Sequence, residues 1–146
     1  MTSNEILARI DADLSVSKDA MRCSPTRAQA IADGDLVAVE PGLAREAGWQ
    51  APLAITRAAW DDCVSWNDED STKQVPQDET GRLWDVLYMA MARVRGKGFS
   101  TSFHFELYRV PRDGRSVASE LVRLHCGIGP SDEGDPVITI RQPDEV

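Results

Sequence analysis

No stretch of this chain approaches the roughly 20 consecutive apolar residues that a membrane-spanning helix needs, and its N-terminus lacks the charged-then-apolar pattern of a secretory leader. A cytoplasmic protein without a membrane partner is the expectation. Cysteine is scarce and odd in number: Cys23, Cys63 and Cys126 lie far apart and form no C-x-x-C pair, which argues against a disulfide framework and a zinc finger. Reduced, mostly buried thiols are expected. Histidine is limited to His104 and His125. The sequence offers no Gly-rich phosphate loop, G-x-S-x-G elbow or H-E-x-x-H motif, and no local pattern that sets a nucleophile beside a base. No catalytic residue, metal ligand or cofactor is therefore assigned. Basic residues are in deficit, 16 Lys and Arg against 24 Asp and Glu, for a formal net charge of −8. That balance disfavours direct contact with nucleic acid, which needs clustered Lys and Arg, and favours a basic partner.

What is present suits one modest domain. The 146 residues are 42% hydrophobic and 27% charged, close to the soluble globular average. Charge is unevenly placed: residues 60–90 hold eight acids against Lys73 and Arg82, whereas residues 91–125 hold seven bases against three acids. The middle of the chain is its acidic centre.

Periodicity gives the elements. Ile6, Leu7, Ile10 and Leu14 share one helical face, predicting a short amphipathic helix. Ser24 and Pro25 read as a cap and first-turn proline for a helix over Thr26 to Asp33 that Gly34 ends. Leu36 to Val39 alternates as a strand stopped by Pro41-Gly42, and Leu43 to Ala47 can make a turn or two of helix. Leu53 and Ile55 suggest a strand. Thr56 then caps a helix running through Trp60, Val64 and Trp66, with Asp61 and Asp62 in its first turns. Asn67 to Gln77 has no periodicity and reads as an exposed loop. Asp78 caps the longest helix, on which Leu83, Val86, Leu87, Ala90, Met91 and Val94 form a core stripe until Gly96-Lys97-Gly98.

The last third reads as antiparallel sheet. Phe99 to Val110 and Ser116 to Cys126 flank Asp113-Gly114, the dipeptide suited to a two-residue type I′ turn. That turn would set Phe103 opposite Leu124 and Phe105 opposite Val122, leaving His104, Glu106, Tyr108, Leu121, Arg123 and His125 on the other face. Val137 to Ile140 supplies a third strand. The expected fold is α+β: a three-stranded antiparallel meander in the C-terminal third packed on the long helix, with shorter helices and strands before it. Residues 1–20 are read as an N-terminal helix and linker, 21–142 as a single domain and 143–146 as a short acidic tail.

Three constellations could carry chemistry, and each has a plainer alternative. His104 and His125, placed diagonally with Glu106 and Arg123 nearby, could bind a metal or move a proton, or could simply lie on a solvated sheet face. Asp68-Glu69-Asp70 could ligate a hard cation, but lacks the spacing and the terminal Glu of an EF-hand loop. Asp132, Glu133 and Asp135 fail the same test. Trp49, Trp60, Trp66 and Trp84 could form a docking surface or pack inward, Trp66 being the one expected to be exposed beside the acidic loop.

The segments Pro25-Thr26-Arg27-Ala28-Gln29-Ala30-Ile31 through Asp33-Gly34-Asp35-Leu36-Val37, Thr56-Arg57-Ala58-Ala59-Trp60, Gly81-Arg82-Leu83-Trp84-Asp85-Val86-Leu87 and Asp135-Pro136-Val137-Ile138-Thr139-Ile140 resemble a family of small uncharacterised proteins. Its members are carried largely by bacterial plasmids, phages and integrated elements. The likeness covers roughly residues 25 to 141 and implies no catalytic residue. A mobile-element setting implies a non-enzymatic inhibitor of host defence, anti-CRISPR or anti-restriction, because spaced carboxylates can imitate DNA phosphates and occupy basic channels. The partner would be a basic surface of a host protein or ribonucleoprotein complex. The residues expected to meet it are Asp61, Asp62, Trp66, Asp68, Glu69, Asp70, Asp78, Glu79 and Asp85. Two alternatives stand beside this one: an accessory interaction protein with no defence role, and a small enzyme using His104 and His125.

Overall fold

The computed structural model describes residues 26–145. The helix expected within residues 1–20, and with it Cys23, Ser24 and Pro25, lies outside the described residues. The first helix, α1 (Arg27–Asp33), is capped by Thr26, whose side chain accepts from the Gln29 amide, and it ends where Gly34 takes φ 85°. Asp132 serves as a second cap from far along the chain: its carboxylate accepts from the amides of Arg27 and Ala28 at 2.9 and 3.0 Å. Those two hydrogen bonds pull its pKa down. An acid suspected of binding a cation thus holds a helix end.

The chain continues through β1 (Leu36–Ala38), α2 (Pro41–Glu46) and β2 (Leu53–Thr56). In α2, Pro41 occupies the first turn and the Glu40 carboxylate takes the amides of Gly42 and Leu43. Next come α3 (Arg57–Cys63), α4 (Asp68–Lys73) and the long α5 (Glu79–Lys97), capped by Asp78 as its sequence predicts. Then β3 (Ser102–Arg109), β4 (Glu120–Pro130) and β5 (Pro136–Arg141) complete one five-stranded sheet of order β1-β2-β5-β4-β3. The protein is α+β with a mixed sheet. The three C-terminal strands are antiparallel neighbours, but they do not form a separate meander. β5 also pairs in parallel with β2, Leu53 facing Ile138 and Ile55 facing Ile140, because both strands are apolar enough to sit in the sheet centre.

The core lies on one face of this sheet. Ile55, Ile140, Leu124, Phe103, Phe105 and Leu107 meet Trp60 and Val64 from the α3 end and Leu83, Val86, Leu87 and Ala90 from α5. Each large side chain fully buried there contributes about 1.5–3 kcal/mol. Trp49 joins them and donates its indole N–H to the Leu87 carbonyl at 3.1 Å. Trp84 is half-buried and stacks on Tyr88.

The β3–β4 register is shifted two residues from the expected one. Phe103 faces Cys126, Phe105 faces Leu124 and His104 faces His125. A slip of two keeps every side chain on its expected face. The cause is the connection, because residues 110–119 form a wide loop instead of a type I′ turn. The Asp113 carboxylate accepts from the amides of Arg115 and Ser116 and from the Ser116 hydroxyl, an Asx turn that competes with the tight hairpin. Gln74 then clamps the loop by donating to the carbonyls of Pro111 and Ser116 and accepting from the Gly114 amide.

That clamp requires the segment expected to be a loop to be a helix. α4 forms despite its lack of apolar periodicity because Asn67 and Asp70 make a reciprocal capping box and three acids occupy its first turn. Glu145, in the stretch read as a tail, accepts from the Thr56 hydroxyl and the Gln142 amide. Among the described residues no helix is long and apolar enough to cross a membrane.

Candidate functional site

The nine residues singled out in the acidic centre divide into two groups. Three are drawn into the structure. Trp66, expected at the surface, is 5% exposed: its indole donates to the Ser71 hydroxyl and the Arg82 guanidinium lies 4.5 Å from its ring centroid. Asp62 pairs with Arg109 at 2.9 Å and sits, with Asp61, in the last turn of the short α3 and not in its first. Asp70 closes the capping box and pairs with Arg112 at 2.7 Å.

The other six, Asp61, Asp68, Glu69, Asp78, Glu79 and Asp85, are exposed. Among the described residues Asp61 and Glu69 have only solvated i,i+4 partners, Arg57 and Lys73, which neutralise little in water. Asp78 holds the Gly81 amide at 2.6 Å. Asp85 borders a small cleft with Gln77, Leu107 and Val110, and desolvation there raises its pKa. Three consecutive helices thus display carboxylates from a fixed frame.

The frame depends on Arg82, which the sequence reading passed over. At 4% exposure it donates to the carbonyls of Val64, Val110 and Asp62 and to the Gln77 side chain while stacking on Trp66. Burial lowers its pKa. Its position four residues before Val86, on the apolar stripe, was the available signal.

A second feature lies at the other end of α5. Between that helix and the edge strand β3 runs a groove of about 670 Å³ lined by Met89, Arg93, Lys97, Phe103, His104 and Glu106, among others. Beside it, on the outer sheet face, the rings of His104 and His125 meet edge to face with centroids 5.2 Å apart. His125 Nε2 lies 2.6 Å from the Ser102 hydroxyl. Desolvation, then Arg141 and His104, lower its pKa. Nδ1 of the same ring is buried and has no hydrogen-bond partner among the described residues. Among the described residues no group of three or more His, Cys, Asp or Glu side chains is arranged to hold a metal ion.

A protein-family model matches residues 22–146, nearly the whole chain. The chain belongs to DUF6573. This is a family of unknown function. No curated protein and no solved structure matches the DUF6573 chain.

Proposed function

We propose that this protein is a non-enzymatic, cytoplasmic binding protein of a mobile element that covers a basic, nucleic-acid-binding surface of a host defence complex. The observation that carries this reading is the exposed set Asp61, Asp68, Glu69, Asp78, Glu79 and Asp85 on three consecutive helices. The Asn67–Asp70 box, the Gln74 clamp and the Arg82 hub hold those helices in place. Carboxylates carried on ordered helices lose less entropy on binding than those of a flexible acidic loop would. Complementary charge also speeds encounter with a basic channel.

The test is a DNA-binding competition against purified guide-loaded CRISPR effectors and restriction enzymes. Loss of DNA binding by one of them, weakening as salt rises, is the expected result. Substituting Asp68→Asn, Glu69→Gln and Glu79→Gln together should weaken that inhibition at least about tenfold, while costing no more than about 1–3 kcal/mol of stability because all three sit in first helical turns. If no complex loses DNA binding, the defence role falls. If inhibition occurs but the triple variant is equally potent, the acidic face is not the surface used.

One contact favours a second reading. The Ser102 hydroxyl at 2.6 Å from His125 Nε2 pairs a nucleophile type with an imidazole whose pKa desolvation, Arg141 and His104 lower, as a small hydrolase using His104 and His125 would need. Turnover of p-nitrophenyl acetate that disappears in His125→Asn would support it. Equal rates for parent and variant would remove it.

A further inference from the structure

We propose that the groove between α5 and β3 takes an extended acidic segment of a partner protein, added to the sheet as a sixth strand beside β3. This surface is lined by cations at the C-terminal end of α5, and of the exposed acids only Asp85 comes near it, in the cleft beside Tyr108.

The backbone supplies the first argument. β3 ends the sheet, and among the described residues no strand pairs with its outer side. Antiparallel partners alternate between pairs that exchange hydrogen bonds and pairs that do not. The Ile128 amide donates to Thr101 at 2.8 Å, so Thr101 and the residues two and four further on face β4. The N–H and C=O groups of Ser102, His104, Glu106 and Tyr108 therefore point outward. Ser102 is already closed off, since the Ser100 hydroxyl donates to its carbonyl and accepts from its amide. His104, Glu106 and Tyr108 remain as a template for strand addition.

Charge supplies the second argument and selects the occupant. In a protein of net charge −8, the groove presents Arg93, Lys97 and Arg123 against the single carboxylate of Glu106. The Arg93 guanidinium lies 5.1 Å from the Phe103 ring centroid, which holds its charge beside the edge strand. Arg93 and Lys97 both line the groove, and a carboxylate on the incoming strand would make charge-assisted bonds with their outward-facing N–H groups. A second copy of this chain would set the same cations against each other, so an acidic segment fits better than self-pairing. Met89 on the helix, 37% exposed, lines the groove with Ala92 and offers apolar contact to alternate side chains of the added strand.

The experiment uses the full chain, short fluorescent peptides of alternating Val with Glu or with Lys, and amide exchange read by NMR. In the free protein the amides of His104, Glu106 and Tyr108 should exchange fast. The Val-Glu peptide should bind, protect those three amides and weaken with salt, whereas the Val-Lys peptide should not bind. Arg93→Gln should lower affinity about tenfold. Because Arg93 also packs on Phe103, Lys97→Gln and Glu106→Pro serve as further variants. A proline at an outward-facing edge position removes the donor without breaking a β4 bond, so Glu106→Pro should fold and fail to bind.

Equal binding of both peptides, or protection elsewhere in the chain, would overturn the proposal. So would protection of the three amides in the free protein, which would place the chain's own N-terminal residues or a second copy on the edge; sedimentation would separate those two.

Discussion

Arg82, on α5, ties that helix to the end of α3, to the segment before α5 and to the end of β3, since Asp62, Val64, Gln77 and Val110 all present acceptors to one guanidinium. Replacing it by Ala leaves several buried carbonyls unpaired, and urea unfolding should register a loss of about 3–5 kcal/mol. Arg82→Lys should recover only part of that, because a point charge does not reproduce the fork. A second prediction at this scale concerns acid. Asp113, whose carboxyl the Ser116 and Arg115 hydrogen bonds hold down at about 2, favours the fold above its ordinary range and loses that contribution as pH falls through it. His125 is also depressed, by desolvation and by Arg141 and His104, so the unfolded chain takes its proton first. Its contribution is present above the ordinary histidine range and fades as pH drops. Thermal melts should show midpoints steady near neutrality that decline in two stages toward acid. His125→Asn should abolish the upper stage; a decline unchanged in that variant would assign it to other groups.

Helix α4 is the element whose existence depends least on apolar burial, having no buried residue. Its stability rests on the cap and on the Gln74 clamp. Asn67→Ala should cost about 1 kcal/mol, and amide exchange should rise together in residues 68–73 and in the 110–119 loop that Gln74 pins. If exchange rises in α4 alone, the two segments are not coupled. Asp70→Asn should also loosen both, since Asp70 pairs with Arg112; it is for this reason excluded from the charge variants that test binding. Helix α3 and strand β4 give a chemical prediction. Cys63 and Cys126 are buried free thiols, each pushed up to about 12 by burial first of all. In a Cys23→Ser variant, Ellman's reagent should find no thiol until denaturant is added.

At the scale of the whole molecule, charge separation along the sequence becomes charge separation in space, with carboxylates around α3, α4 and the start of α5, and cations beside the end of α5 and β3. The two surfaces predict independent behaviour: neutralising Asp68, Glu69 and Glu79 should leave peptide binding at the β3 edge unchanged, and Lys97→Gln should leave inhibition by the acidic face unchanged. Cross-effects larger than about twofold would mean that the sites are coupled. The long helix α5, its cap at Asp78, the strands β1, β2 and β5 and the inward face of β3 were legible from local pattern, because periodicity and capping act over a few residues. The exposed acids were legible as composition. The sequence by itself determined the class of fold, the core stripe and the uneven charge. Only the tertiary structure decided that Trp66 and Asp70 are internal supports, that Asp132 caps α1, that β5 joins β2 and that His104 faces His125. Each of those depends on a partner distant in the chain, whether Arg82, Arg112, the Arg27 amide, Leu53 or a ten-residue-scale loop closed by Gln74, and no local pattern encodes which distant group will be there.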